Sequence, residues 1–107
     1  AAEARAAATR NGEAESLALV SRLEARLCEA RGQTAAAEAS LAESIAIFRR
    51  IGKPGEEARS RAELAGWLAR HDRWIEARQE AARARPVLAE MGRDDLIGAL
   101  DGATAPA

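Results

Sequence analysis

The sequence predicts an all-α fold of repeated antiparallel helix hairpins, about five to six helices in all. Three observations lead there. Of the 107 residues 48% are apolar, yet Ala supplies 29 of those side chains and only 22 are larger, which suits thin layers of closely approaching helices better than a deep globular core. Gly12, Gly52 and Gly92 stand 40 residues apart, each closing a helical pattern and each followed by acidic residues. The small and apolar stripe Ala37, Leu41, Ser44, Phe48 and Ile51 returns 40 residues later as Ala77, Ala81, Ala84, Leu88 and Met91. β-Branched and aromatic residues are too scarce for an all-β fold. No run approaches the ~20 apolar residues of a membrane span. Cys28 is the only cysteine, so a disulfide scaffold is excluded.

Taken in order, residues 1–12 read as the tail of a preceding repeat helix, because the stripe shifted back by 40 falls on Ala1, Ala4 and Ala8. Gly12 is expected to end it. A helix from about Glu13 to Arg31 carries Leu19, Val20, Leu23 and Leu27 as its apolar residues, and Gly32-Gln33-Thr34 turns the chain. The striped helix follows to Ile51. Gly52-Lys53-Pro54-Gly55 stops and restarts the chain: Gly takes the left-handed conformation that closes a helix, and Pro54 cannot continue it. A third helix from about Glu56 to His71 carries Ala58, Leu64, Ala65 and Leu68, and His71-Asp72-Arg73-Trp74 is the next turn. The second striped helix contains Pro86, which should kink or locally break it. After Gly92 a short helix spans roughly Asp94–Leu100, and Gly102 to Ala107 form a tail. Carboxylates at each restart, Glu56-Glu57 and Asp94-Asp95 among them, suit the positive end of a helix dipole. The organisation is therefore 1–12, two units at 13–52 and 53–92, and 93–107.

At these positions the chain resembles the tetratricopeptide repeat (TPR) family. Leu64-Ala65-x-x-Leu68 matches the first helix of that motif; Asp72-x-Trp74-x-x-Ala77 matches its turn and the start of its second helix; Ala81 and Ala84 continue it. The earlier copy reads Ala25-x-x-Cys28, Gly32-x-Thr34-x-x-Ala37, Leu41 and Ser44. Glu24 takes the place of Leu64, so the register of this copy is open: Leu23 and Leu27 fit with a slip of one residue. The period of 40 exceeds the family's usual ~34 and is similar to the longer form common in large bacterial regulators and signalling proteins. The resemblance implies an α-solenoid. A plain antiparallel helix bundle is the competing architecture.

The ingredients of catalysis are sparse. His71 is the only histidine, beside Asp72 at a helix end, where it reads as a solvated turn residue. Cys28 on an apolar helix reads as a small core residue. With no second His or Cys and no Gly-rich phosphate loop, no catalytic, cofactor or metal residues are assigned. The net charge of −1 disfavours nucleic acid. The start of the chain shows no apolar signal segment, and the only Met is Met91, so the expectation is a cytoplasmic piece of a longer or processed protein.

What remains is binding. The resemblance implies that the first helix of each unit lines a concave face. Carried across, it offers Leu19, Arg22, Leu23, Arg26 and Glu29 in one unit and Arg59, Ala62, Glu63, Gly66 and Arg70 in the other, with Trp67 either packing or anchoring a partner. Trp74, at the position where the family often has an aromatic, is expected in the core at the hairpin base. The expected partner is a peptide or protein, acidic where it meets the arginines. The alternative is a regulatory or self-associating segment of a larger bacterial signalling protein, such as a multidomain ATPase, kinase or transcription regulator. The bland counterpart of the charged face is a solvated surface with internal pairs such as Arg26–Glu29 and Arg59–Glu63.

Overall fold

A computed structural model describes residues 2–105, with side chains from residue 9 onward. Five α-helices account for it: α1 (Ala2–Ala30), α2 (Thr34–Arg50), α3 (Pro54–Arg70), α4 (Trp74–Glu90) and α5 (Asp94–Thr104). The described residues contain no strand.

All four turns use one backbone device. The residue at the turn is left-handed, with φ of 73° at Gly32, 70° at Gly52, 61° at Asp72 and 68° at Gly92. In each, that residue and the next donate back into the helix they leave. Gln33 N–H reaches the Cys28 carbonyl at 2.8 Å, and Lys53 N–H the Phe48 carbonyl at 2.9 Å. Arg73 N–H reaches Leu68 at 2.9 Å, and Arg93 N–H reaches Leu88 at 3.0 Å. This Schellman arrangement satisfies carbonyls that the helix end would otherwise leave bare. The left-handed residues stand 20 apart, one per helix end.

Gly12 does not belong to that series. α1 runs through it without interruption, and its φ is not positive. The expected boundary at residue 12 is therefore corrected. Glu13, Ala14 and Glu15 after it are good helix formers, so the ~1 kcal/mol penalty of an internal glycine is outweighed by continuing the helix. The stripe copy at Ala1, Ala4 and Ala8 lies outside the residues whose side chains are described. Pro86 does not break α4 either. It lies on the exposed side of the helix, and Ala82, whose carbonyl loses its usual donor, is exposed as well.

The chain divides into two compact units, 1–53 and 54–107, where four segments were expected. The first is the α1–α2 hairpin, with Ala18, Ile47 and Phe48 at its centre and Ala14 and Ile51 packed against them. The second is the α3–α4 hairpin joined by α5. Its core is Ala58, Ala65, Ala81, Ala84, Leu88 and Leu100, with Ala62, Val87, Leu96 and Ile97 around it. So the segment after Gly92 is part of the second unit.

The 40-residue offset is visible in burial. Ala18, Ala25, Ala37, Leu41, Ser44 and Phe48 are buried, and so are Ala58, Ala65, Ala77, Ala81, Ala84 and Leu88. Ala25 and Ala65 occupy equivalent places, so the first unit needs no slip and Glu24 sits where Leu64 does. The Ala and Ser residues let the helix backbones approach; a larger side chain would wedge them apart.

Candidate interaction faces

Each expected site residue can be placed within its own unit. On α1, Arg22 and Arg26 were expected to share a face, and they do not act alike. Arg22 is only 6% exposed, with its guanidinium 5.2 Å from the centre of the Phe48 ring. That is cation–π range, and its alkyl stem is taken into the hairpin interior. Arg26 is exposed. The four-residue step turns the helix by about 40°, enough to carry one arginine under α2 and leave the other in solvent.

On α3, Arg59 and Glu63 are half-buried and Arg70 is exposed. Arg59 pairs with Glu56 at 3.5 Å. The Arg70 guanidinium lies over Gly66, with Nη1 only 3.3 Å from where a β-carbon would be. Gly66 thus clears a seat for Arg70.

Trp67, expected either to pack or to anchor a partner, is 2% exposed and packs. The His71 ring lies 4.3 Å from it at 35°, and the Arg73 guanidinium is 5.7 Å from its centre. Its Nε1 is buried without a hydrogen-bond partner. Trp74, expected in the core, is half-buried. Trp67 precedes the turn on the buried side of α3, in line with the packing reading, while Trp74 opens α4 and is less buried than expected. His71 is exposed but rests on an indole.

The polar groups that hold the second unit were not singled out from the sequence. Arg61, on α3, reaches Glu57 at 2.9 Å on its own helix and Glu80 at 2.8 Å on α4. Its side chain is 11% exposed. Burial alone would lower the Arg61 pKa, but the hydrogen bonds to Glu80 and Glu57 hold it above the ordinary value. Arg83 adds a second contact to Glu80 at 3.4 Å. Arg85 on α4 pairs with Asp101 on α5. At two helix starts the residue before the first turn is an arginine that grips a carboxylate just inside it. Arg73 holds Glu76 at 2.7 Å and Arg93 holds Asp95 at 3.0 Å. The Arg73 hydrogen bond lowers the Glu76 pKa, and the Arg93 hydrogen bond lowers that of Asp95 to about 2.

The large apolar residues of α1 lie on its open side. Leu19 and Leu23 were expected there, and Val20 and Leu27 were named only as apolar residues of the helix. Together with Leu17 they are 40–55% exposed, and the buried side of α1 is Ala18, Ser21, Arg22 and Ala25. The signal that could have found this was the offset itself, because Ala18 and Ala25 pair with Ala58 and Ala65. Among the described residues, no helix is long and apolar enough to cross a membrane. Also among these residues, no group of three or more His, Cys, Asp or Glu side chains could hold a metal ion. Comparison with protein-family models, with curated proteins and with solved structures finds no match in any of the three.

Proposed function

We propose that the chain is a non-catalytic protein–protein interaction module of TPR-like, α-solenoid type that binds a peptide or protein segment. The observation that carries this reading is the recurrence of one hairpin geometry, with left-handed turn residues at 32, 52, 72 and 92 and matched buried positions 40 apart. Repeated hairpins of this kind present rigid, regularly spaced helix faces, and such faces suit recognition of extended or helical segments. The charged side of α3, Arg59, Glu63 and Arg70, is the recognition surface proposed for the second unit, and Arg26 for the first. Trp67 and Arg22 serve packing. The partner chemistry is acidic, because guanidinium groups bind carboxylates through charge-assisted pairs.

The test is fluorescence anisotropy with labelled acidic peptides, alongside affinity capture to find protein partners. Arg59→Glu with Arg70→Glu should weaken binding about tenfold or more, and raised salt should weaken the wild type. Binding of every captured partner and peptide at wild-type strength by the double variant would end this reading.

The second reading is a regulatory or self-associating segment of a larger bacterial signalling protein. The exposed leucine face of α1 favours it, because five large apolar side chains on one helix exceed the scattered singles of an ordinary surface.

A further inference from the structure

We propose that the exposed leucine face of α1 docks a second copy of this chain, α1 against α1 and antiparallel, through a two-fold axis near the middle of the helix. The proposal deepens the second reading above by naming the partner, and it is independent of the charged face of α3.

Leu17, Leu19, Val20, Leu23 and Leu27 account for five of the seven exposed large apolar side chains among the described residues. At about 100° per residue they fall within one side of the helix, opposite the Ala18–Ala25 side that packs on α2. α1 therefore carries its large apolar side chains on the face that its own hairpin does not use. The equivalent positions on α3 differ. Forty residues on, Val20 becomes Ser60 and Leu27 becomes Trp67, both buried, while Leu17 and Leu23 become Glu57 and Glu63.

Charge selects the occupant. Glu13 stands four residues before Leu17, and Arg31 four residues after Leu27. The two are 18 residues apart, about five full turns, so Arg31, the first residue past α1, stands in line with Glu13 along the apolar strip, with the exposed Glu24 beside that line. Both are exposed, and neither forms an ion pair among the described residues. Antiparallel pairing places Leu17 opposite Leu27 of the second copy. It brings Val20 and Leu23 together at the axis and sets Glu13 beside Arg31 of the second copy at both ends. A parallel pairing would set Glu13 against Glu13 and Arg31 against Arg31. The strip is thus self-complementary in one direction only, as a closed isologous dimer requires.

The experiment is sedimentation velocity over a wide concentration range, with helicity followed by circular dichroism to certify folding. The wild type should reach a dimer. Leu23→Glu with Leu27→Glu should raise the dimer dissociation constant at least 100-fold while leaving helicity intact, because both side chains are exposed in the monomer. Glu13→Arg should raise it about tenfold, and adding Arg31→Glu to that variant should restore it. A wild type that stays monomeric at every concentration overturns the proposal and leaves the face to a different protein. A dimer that survives the double leucine substitution overturns it as well. So does a charge swap that fails to rescue.

Discussion

The two hairpins carry the same buried skeleton and solve the rest of their packing in opposite ways. In both, small residues at equivalent places bring the helices together. Around that seam the first hairpin is built with apolar and aromatic groups, including Arg22 laid over Phe48. The second has Ala62 and Leu88 at those positions, and it ties α3 to α4 through Arg61, Glu57 and Glu80 instead. The outer faces differ more sharply. Position 27 holds a leucine that is 55% exposed, and position 67 a tryptophan that is 2% exposed. A shared repeat therefore dictates where helices touch, and leaves the remaining faces free to become either core or surface.

The largest expected effect breaks that comparison at one register position. Trp67→Ala should destabilise the chain by about 3–5 kcal/mol in urea or thermal unfolding, whereas Leu27→Ala at the equivalent place should cost within about 0.5 kcal/mol. Equal losses would mean that the two faces are buried alike. Next comes the polar tie. Arg61→Ala removes the cation between Glu57 and Glu80 and should cost about 2 kcal/mol, less than the 3–5 typical of a fully buried pair because some solvent reaches it.

The turns sharpen the comparison further. Gly52→Ala forces a β-carbon into φ of 70° and should destabilise by about 1–2 kcal/mol, while Gly12→Ala should stabilise by about 1 kcal/mol. No atom lies within 4 Å of a β-carbon built at either place, so the difference measures backbone conformation and not crowding. Asp72→Gly should also stabilise, by up to about 1 kcal/mol, because Asp72 is the one turn residue among the described residues that holds φ of 61° with a side chain attached.

The smallest effect is electrostatic. Asp95 is held by Arg93 with a pKa of about 2, below the ordinary carboxylate value. A depressed folded pKa contributes stability above the unfolded value of ~3.9, and that contribution is lost as pH falls from there to about 2. Arg93→Ala should return Asp95 to the ordinary range in a carboxylate titration by nuclear magnetic resonance.

Much of the fold was legible. Gly32, Gly52 and Gly92 marked turns because a left-handed residue is a local requirement that glycine meets cheaply. The stripes from Ala37 and Ala77 were legible because helical spacing is local too. Gly12 and Asp72 show the limit. One is a glycine that ends nothing, since the residues after it continue a good helix. The other is a non-glycine that takes the left-handed place, because Asp tolerates it when the chain must turn. The interaction residues were less legible. Arg22 and Arg26 look alike in sequence, and only the position of α2 separates them.

The sequence by itself determined α2 to α5, most of their ends and the 40-residue recurrence, because propensity, capping and periodicity act over a few neighbouring residues. Only the tertiary structure decided which side of α1 is buried, and that Arg22 and Trp67 lie inside. Burial belongs to two surfaces at once. Hydrophobicity alone ranks the leucine side of α1 above its alanine side, but α2 can come closest where side chains are smallest. The alanine side closed the hairpin, and the leucines were left facing outward.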